Sequence, residues 1–251
     1  MTRVVAMIPA RMGSSRFPGK PLALLRGRPM IEHVFARTAA CTRLDDVLIA
    51  TCDEEIALAA SGFGARSIMT SAAHQRATDR IAEACESDPA DIIVMVQGDE
   101  PMIRPDMVSA AITPMLESPT VGCVNLAAPI RTEIELRSPN TIKVVISRQG
   151  TALYFSREAI PTPVGRRFRP GPWYKQVCII AFRRDALRRF ASLPAGPLEI
   201  DESIDMLRYL ENCIPVHIVK TDAVTHAVDT RSDLELVELL MADEPSYYAK
   251  G

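Results

Sequence analysis

Val4-Val5-Ala6-Met7-Ile8-Pro9-Ala10-Arg11-Met12-Gly13-Ser14-Ser15-Arg16-Phe17-Pro18-Gly19-Lys20-Pro21-Leu22 is the most informative stretch of this 251-residue chain. The apolar, β-branched run Val4–Ile8 predicts a buried strand. A short loop follows, with small residues, Arg11, Arg16 and Lys20 and no acid nearby; the first acidic residue of the chain is Glu32. Small residues let backbone N–H groups approach an anion, and the three bases supply charge, so such a loop is able to wrap a polyphosphate. A solvated basic loop has the same composition, and both readings stand at this point. The spacing matches neither G-x-x-x-x-G-K-[ST] nor G-x-G-x-x-G, so a phosphate cradle here is of another kind.

The rest of the first half repeats strand then helix. Met30, Ile31, Val34 and Phe35 fall at helical spacing over Met30–Ala40. Val47–Ala50 is strand-like, Asp53-Glu54-Glu55 an acidic helix start, Ser67–Met69 a short strand, and Thr78–Cys85 a helix. Ile92–Val96 is the clearest buried strand, and a helix opens after Pro105. Alternating β and α units predict an α/β fold with a mostly parallel sheet, Rossmann-like, covered by helices on both faces.

The middle differs. Val121–Ile130, Ile142–Ile146, Ala152–Phe155 and Val177–Phe182 read as strands without helices of comparable length between them. They predict a smaller antiparallel section at about 121–190, of a kind used for dimer contacts or as a lid. Within it, Pro161–Trp173 is a Pro/Gly loop with three arginines and two aromatics, either a solvated excursion or a flap over an anionic substrate. The end returns to α/β, with a helix over Asp201–Asn212, a strand over Val216–Val219 and a closing helix over Asp233–Met241.

Composition narrows the class. Apolar content of 47% and charged content of 24% are ordinary globular values. A net charge of −2 argues against a surface that coats nucleic acid, so the basic loop is local. No apolar stretch approaches the ~20 residues that span a bilayer, and the N-terminus lacks a signal-peptide pattern. A cytoplasmic protein is expected. The six cysteines are scattered with no C-x-x-C pair, which indicates neither zinc nor a disulfide framework.

In doubly wound sheets ligands bind at the carboxyl ends of strands. The basic loop follows the first strand, Gln97-Gly98-Asp99-Glu100-Pro101 follows Ile92–Val96, and Ala227-Val228-Asp229-Thr230 comes after the late strand. A triphosphate calls for a hard divalent metal, and magnesium takes one or two carboxylates plus phosphate oxygens and water. Asp99 and Asp229 are the suitable carboxylates; helix capping is the alternative for each. His74-Gln75-Arg76-Ala77-Thr78-Asp79-Arg80 is a polar cluster that either reads a base or caps a helix. The pair Glu199/Glu202 reads more simply as an acidic first helical turn.

These residues resemble a known family. Ile8-Pro-Ala-Arg11-x-x-Ser14-Ser15-Arg16-x-Pro-Gly-Lys20-Pro-Leu22 resembles the nucleotide-binding signature of the sugar-acid cytidylyltransferases, nearest to the CMP-Kdo synthetases (3-deoxy-manno-octulosonate cytidylyltransferases). The likeness continues through Met69-Thr-Ser71, His74, Thr78-Asp79-Arg80, Val96-Gln97-Gly98-Asp99-Glu100-Pro101, Ala152–Arg157, Ile160-Pro161, Pro197-Leu-Glu199, Val228-Asp229-Thr230 and Asp233-Leu, in order along nearly the whole chain. The resemblance implies one nucleotidyltransferase domain over 1–251 and a homodimer. It implies the reaction of CTP with an acidic acceptor, giving a CMP-acid and pyrophosphate.

By the same resemblance Arg11, Arg16, Lys20 and Asp99 carry the catalysis. Ala10, Arg11, Ser14, Ser15 and Lys20 hold the nucleotide, with Thr70, Arg76, Thr78, Arg80 and Gln97 near the base and ribose. Gln97, Arg157, Lys175 and Gln176 face the acceptor, with Ile180, Glu202, Asp205 and Met206. Asp99 and Asp229 hold Mg2+. The departures fall at the acceptor end. Typical CMP-Kdo synthetases carry His-x-Gly-x-Tyr-Ala where this chain has Gln176-Val177-Cys178-Ile179-Ile180-Ala181, and a Glu-Gln pair where it has Asp205-Met206. Ser-Gly-Thr-Asp-Arg reads Arg76-Ala77-Thr78-Asp79-Arg80. Ile180 and Met206 cannot hydrogen-bond a polyhydroxylated acid, while Arg76, Lys175 and the Arg166–Arg169 loop add positive charge. The acceptor is therefore expected to be 3-deoxy-manno-octulosonate (Kdo), another sugar acid, or a small charged acid such as phosphonoformate. A catalytically silent nucleotide-binding regulator and a uridylyl- or guanylyltransferase are the competing classes.

Overall fold

The computed structural model describes residues 2–14, 16–162, 168, 171–242 and 247. In chain order it runs β1 (Val4–Ala10), a 3-10 turn (Lys20–Leu22), β2 (Leu24–Leu25), β3 (Arg28–Pro29), α1 (Met30–Ala39), β4 (Asp46–Thr51) and α2 (Glu54–Gly62). There follow β5 (Arg66–Met69), α3 (Ala77–Cys85), β6 (Ile92–Val96), α4 (Pro105–Glu117), β7 (Cys123–Pro129), α5 (Glu133–Arg137), β8 (Lys143–Ile146) and β9 (Ala152–Ser156). The chain ends with β10 (Tyr174–Arg183), α6 (Arg184–Ser192), α7 (Pro197–Glu202), α8 (Leu207–Glu211), β11 (His217–Lys220) and α9 (Arg231–Leu240). These elements fall into two compact units, residues 1–109 with 224–251, and residues 110–223. The section expected at 121–190 lies inside the second.

The first unit is parallel, as its sequence requires. Every residue of β1 and β6 is buried, the signature of strands covered on both faces. β1 pairs in parallel with β6 on one side and with β4 on the other, and β4 pairs in parallel with β5. Pro9 stays opposite Ala50 in the β1–β4 pairing but lies past the last β1–β6 pair, Met7 with Met95. A second apolar cluster in this unit joins Phe17 of the basic loop, Leu25 of the β2–β3 hairpin, Met30 of α1, Met102, and Val228, Val237 and Met241 at the C-terminal end. Burial of Phe17 thus anchors the loop that carries Arg11, Arg16 and Lys20.

The second unit holds the antiparallel section. β10 pairs antiparallel with β7 and with β8, and β8 antiparallel with β9, while β11 joins β7 in parallel. Together the units give the mixed α/β class expected, mostly parallel with a smaller antiparallel part.

The helix expected over 201–212 is two helices. Chain direction changes at Ser203, whose φ of 55° is left-handed, and Ile204 and Met206 turn inward between α7 and α8. Glu199 is more than a first-turn acid. It is fully buried, and its carboxylate accepts both Arg208 Nε and Nη2 at 2.7 Å. The Arg208 guanidinium also lies 4.1 Å from the Phe190 ring centroid. Removing one member of a buried pair leaves the other charge without compensation, at a cost of about 3–5 kcal/mol. Glu199→Ala should lose that much in urea denaturation; a loss under ~1 kcal/mol would show that the pair is not what holds α7 against α8.

Candidate active site

β1 and β6 end side by side, and their ends build the site. A Cβ placed on Gly98 would lie 3.0 Å from the Pro9 carbonyl oxygen and 3.5 Å from Ile8 Cγ2. That contact with a backbone oxygen would be tight, so glycine suits the close pass of the segment after β6, and the next residue is Asp99. Val228 N–H donates to the Asp99 carbonyl at 2.9 Å, which brings the segment before α9 alongside. There Thr230 and Asp233 form a capping box, and the Asp233 carboxylate also accepts the Asp229 N–H at 3.1 Å. Asp229 was expected just after a strand. It sits instead nine residues beyond β11, held by the α9 cap and the Asp99 carbonyl.

The basic loop folds onto these carboxylates. Gly19, at φ 72°, and Ser14 both donate N–H to the Met12 carbonyl, at 3.1 and 2.9 Å. The Ser14 hydroxyl accepts the Phe17 N–H at 3.3 Å, and the Met12 N–H donates to Asp53 Oδ2 at 2.8 Å. Lys20 Nζ reaches Asp99 Oδ2 at 2.7 Å and Asp229 Oδ1 at 3.4 Å. Arg16 donates to Asp229 Oδ1 at 2.9 Å. Burial works against the Lys20 ammonium, yet Asp99 and Asp229 outweigh it, and its pKa lies above the ordinary lysine value. Arg11, the first residue after β1, is exposed and bonds to no described residue; Ala10 is buried beside Thr51 of β4. Ser15 lies outside the described residues.

Arg16, Lys20, Asp99 and Asp229 thus converge as expected, while other predicted positions have different settings. Arg80 is buried, and its guanidinium donates to Thr70 Oγ1 at 2.6 Å and to the Ser71 and His74 carbonyls at 3.4 Å. It holds the 70–76 loop in shape. Thr78 is fully buried, with Oγ1 3.9 Å from Met95 Sδ. Arg76 stands at the N-cap of α3, and Gln97 is half-buried directly after β6.

In the second unit, Arg157 donates to the carbonyls of Glu202, Pro139 and Ser203, at 2.7, 2.9 and 3.3 Å. The Glu202 carboxylate takes Ser156 Oγ at 2.6 Å and the Arg157 N–H at 2.8 Å. Lys175 pairs with Glu135 at 2.6 Å, and Gln176 Nε2 donates to Asn125 Oδ1 at 2.6 Å. Ile180 and Met206 are buried and Asp205 is half-buried. Of the expected flap, 163–167 and 169–170, with Arg166 and Arg169, lie outside the described residues. Asp53 went unread as a site residue, because its partner Met12 lies 41 positions away.

Magnesium fits the two site carboxylates. Asp99 Oδ2 and Asp229 Oδ1 both reach one ammonium, so one cation is able to touch both. No group of three His, Cys, Asp or Glu able to hold a metal occurs among the described residues, so phosphate oxygens and water would complete the coordination.

A phosphate-type loop at a strand end facing two carboxylates defines a nucleotidyltransferase site. Residues 5–216 match the cytidylyltransferase family. The chain is 44% identical over 243 residues to the 3-deoxy-manno-octulosonate cytidylyltransferase of Geobacter sulfurreducens, covering 93% of this chain and 97% of that one. Identity to the protein of the same name from Syntrophotalea carbinolica is also 44%, over 242 residues, 94% of this chain and 97% of the other. The solved structure of CMP:2-keto-3-deoxy-manno-octonic acid synthetase complexed with CTP superposes with a TM-score of 0.90 at 39% identity, covering 97% of this chain and all of that one. The chain belongs to the cytidylyltransferase family, as an enzyme of the CMP-Kdo synthetase-like kind.

Lys20 and Arg16 are the described cations that balance Asp99 and Asp229. Lys20→Met should therefore lower Tm in EDTA, by roughly 2–4 °C per kcal/mol of lost pairing, and MgCl2 should raise the variant's Tm more than the wild type's. Equal magnesium increments would show that Lys20 does not stand between the carboxylates.

Proposed function

We propose that the protein transfers the cytidylyl group of CTP to Kdo, with Mg2+, giving CMP-Kdo and pyrophosphate. The observation that carries this reading is the placement of Lys20 within 2.7 and 3.4 Å of Asp99 and Asp229 beside a loop of small and basic residues. The names of relatives more than 40% identical support Kdo as the acceptor.

The chemistry is an in-line displacement. The acceptor hydroxyl oxygen attacks the α-phosphorus, the bond from that phosphorus to the α,β-bridging oxygen breaks, pyrophosphate leaves, and the hydroxyl proton passes to water. Magnesium bound by Asp99 and Asp229 would offset phosphate charge and acidify a coordinated hydroxyl. Lys20, Arg16 and Arg11 do the rest as fixed positive charge. They bind the triphosphate and offset the charge that grows on the leaving pyrophosphate. Lys20, already charged in the ligand-free site, is positioned to turn from the carboxylates to phosphate oxygens. The Arg80-braced 70–76 loop and Gln97 fit a role beside the nucleoside.

The setting we infer is the cytoplasm. All six cysteines are free, which suits a reducing compartment, and no described helix is long and apolar enough to cross a membrane. We also propose a homodimer. Ile134, Leu153 and Ile200 of the second unit are 84%, 61% and 61% exposed, an apolar complement available to a second copy. A monomer mass by light scattering would remove that proposal.

Pyrophosphate release from CTP, measured with Kdo, other 3-deoxy sugar acids and phosphonoformate, tests the acceptor. Kdo should be turned over best; turnover of phosphonoformate alone would replace Kdo with a phosphonate. With the preferred acceptor, Lys20→Ala should lose about 10²–10³-fold in kcat. Asp99→Asn should abolish magnesium-dependent turnover with the circular dichroism spectrum unchanged.

A further inference from the structure

Asp53 stands at the N-cap position of α2, yet its side chain makes no capping hydrogen bond to that helix. Its Oδ2 instead accepts the Met12 N–H at 2.8 Å, 41 residues away. The register explains the geometry. β1 and β4 run in parallel and their last paired residues are Ala10 and Thr51. Two residues further along each chain are Met12 and Asp53. The strands have ended, and a side-chain oxygen takes the place of the next main-chain acceptor. Asp53 is itself fixed, because its N–H donates to Thr51 Oγ1 at 3.1 Å and Thr51 is fully buried.

The amide it holds is the hub of the basic loop. The Met12 carbonyl accepts both Ser14 N–H and Gly19 N–H, so Met12 closes the loop between Arg11 and Lys20 from both sides. The loop contains Gly13, Ser14 and Gly19, residues whose backbone freedom is costly to freeze. The Asp53 carboxylate is engaged by the Met12 N–H. A carboxylate is acceptor-only, so it cannot present a donor to Met12 N–H. We infer that Asp53 is a positioning residue for nucleotidyl transfer: it extends the β1–β4 ladder by one rung and pre-forms the loop that binds the triphosphate. The inference rests on the CTP reading proposed above.

The test separates pinning from capping. Asp53→Ser keeps a good N-cap residue, but its oxygen is too short to reach Met12. Asp53→Asn keeps both an N-cap residue type and the reach to Met12. Asp53→Ser should keep the wild-type circular dichroism spectrum yet raise KM for CTP by about 10–100-fold, the size of a lost hydrogen bond to a charged acceptor, with kcat changed far less. Asp53→Asn should stay within about threefold of wild type in KM. Amide hydrogen exchange at Met12 in the ligand-free protein should accelerate in the Ser variant and stay protected in the Asn variant. An unchanged KM in Asp53→Ser, or a Met12 amide that stays protected in it, overturns the inference. The exchange contrast needs no turnover. If wild-type protein neither bound nor turned over CTP, the functional reading would fail while the exchange data still reported on the pinning.

Discussion

A Cβ at position 98 would crowd the carbonyl of Pro9, and glycine there lets the ends of β1 and β6 lie close together. Because the ends of β1 and β6 approach so closely, the loop after one strand and the carboxylate after the other must share a small volume. Asp99 follows Gly98 directly and cannot turn far from the loop that contains Lys20. The Asp99 carbonyl then takes Val228 N–H, and Asp229 arrives one residue later. Three distant parts of the sequence are thereby fixed by one close contact and one hydrogen bond. Phe17, buried with Met102 and Val228, secures the same three segments from below.

Charge is balanced inside this volume by its own side chains. Arg16 and Lys20 face Asp99 and Asp229, two cations against two anions. Exposed ion pairs contribute little, but Lys20 is largely shielded, and there an unbalanced charge is expensive. Asp99 and Asp229 both reach the one Lys20 ammonium, and Arg16 joins them at Asp229.

Much of this was legible in the sequence. β1 and β6 announce themselves as unbroken apolar runs, and the acid-free loop with Arg11, Arg16 and Lys20 has few physical uses. Gly98 and Asp99 were readable because they directly follow a strand. What escaped the sequence depends on contacts between distant residues. Asp229 looked like a strand-end carboxylate and is held by the capping of α9. The 201–212 segment has helical spacing throughout, yet Ser203 breaks it so that Glu199 is able to meet Arg208. Asp53 reads as an acidic helix start, and nothing nearby reveals that its carboxylate serves Met12. Local pattern predicts elements, and the partner of a side chain is fixed only when those elements have packed.

The departures from the family pattern at the acceptor end also have a physical reading. β10 and β7 fall out of register between Val177 and Ile180, where two residues of β10 have no partner in β7. Asn125, fully buried, fills the gap: its Nδ2 donates to the Val177 carbonyl at 2.8 Å and to the Leu126 carbonyl at 3.0 Å, and its Oδ1 accepts Gln176 Nε2. Gln176 is thus tied into the irregular strand it stands on, and Ile180 resumes the pairing from a buried position. Glutamine and isoleucine here serve the bulge. Arg157 and Glu202, which the family likeness aims at the acceptor, are likewise bound to each other's backbone and to Ser156. Of the β10 side chains at this end, Gln176 is held by Asn125 and Lys175 by Glu135.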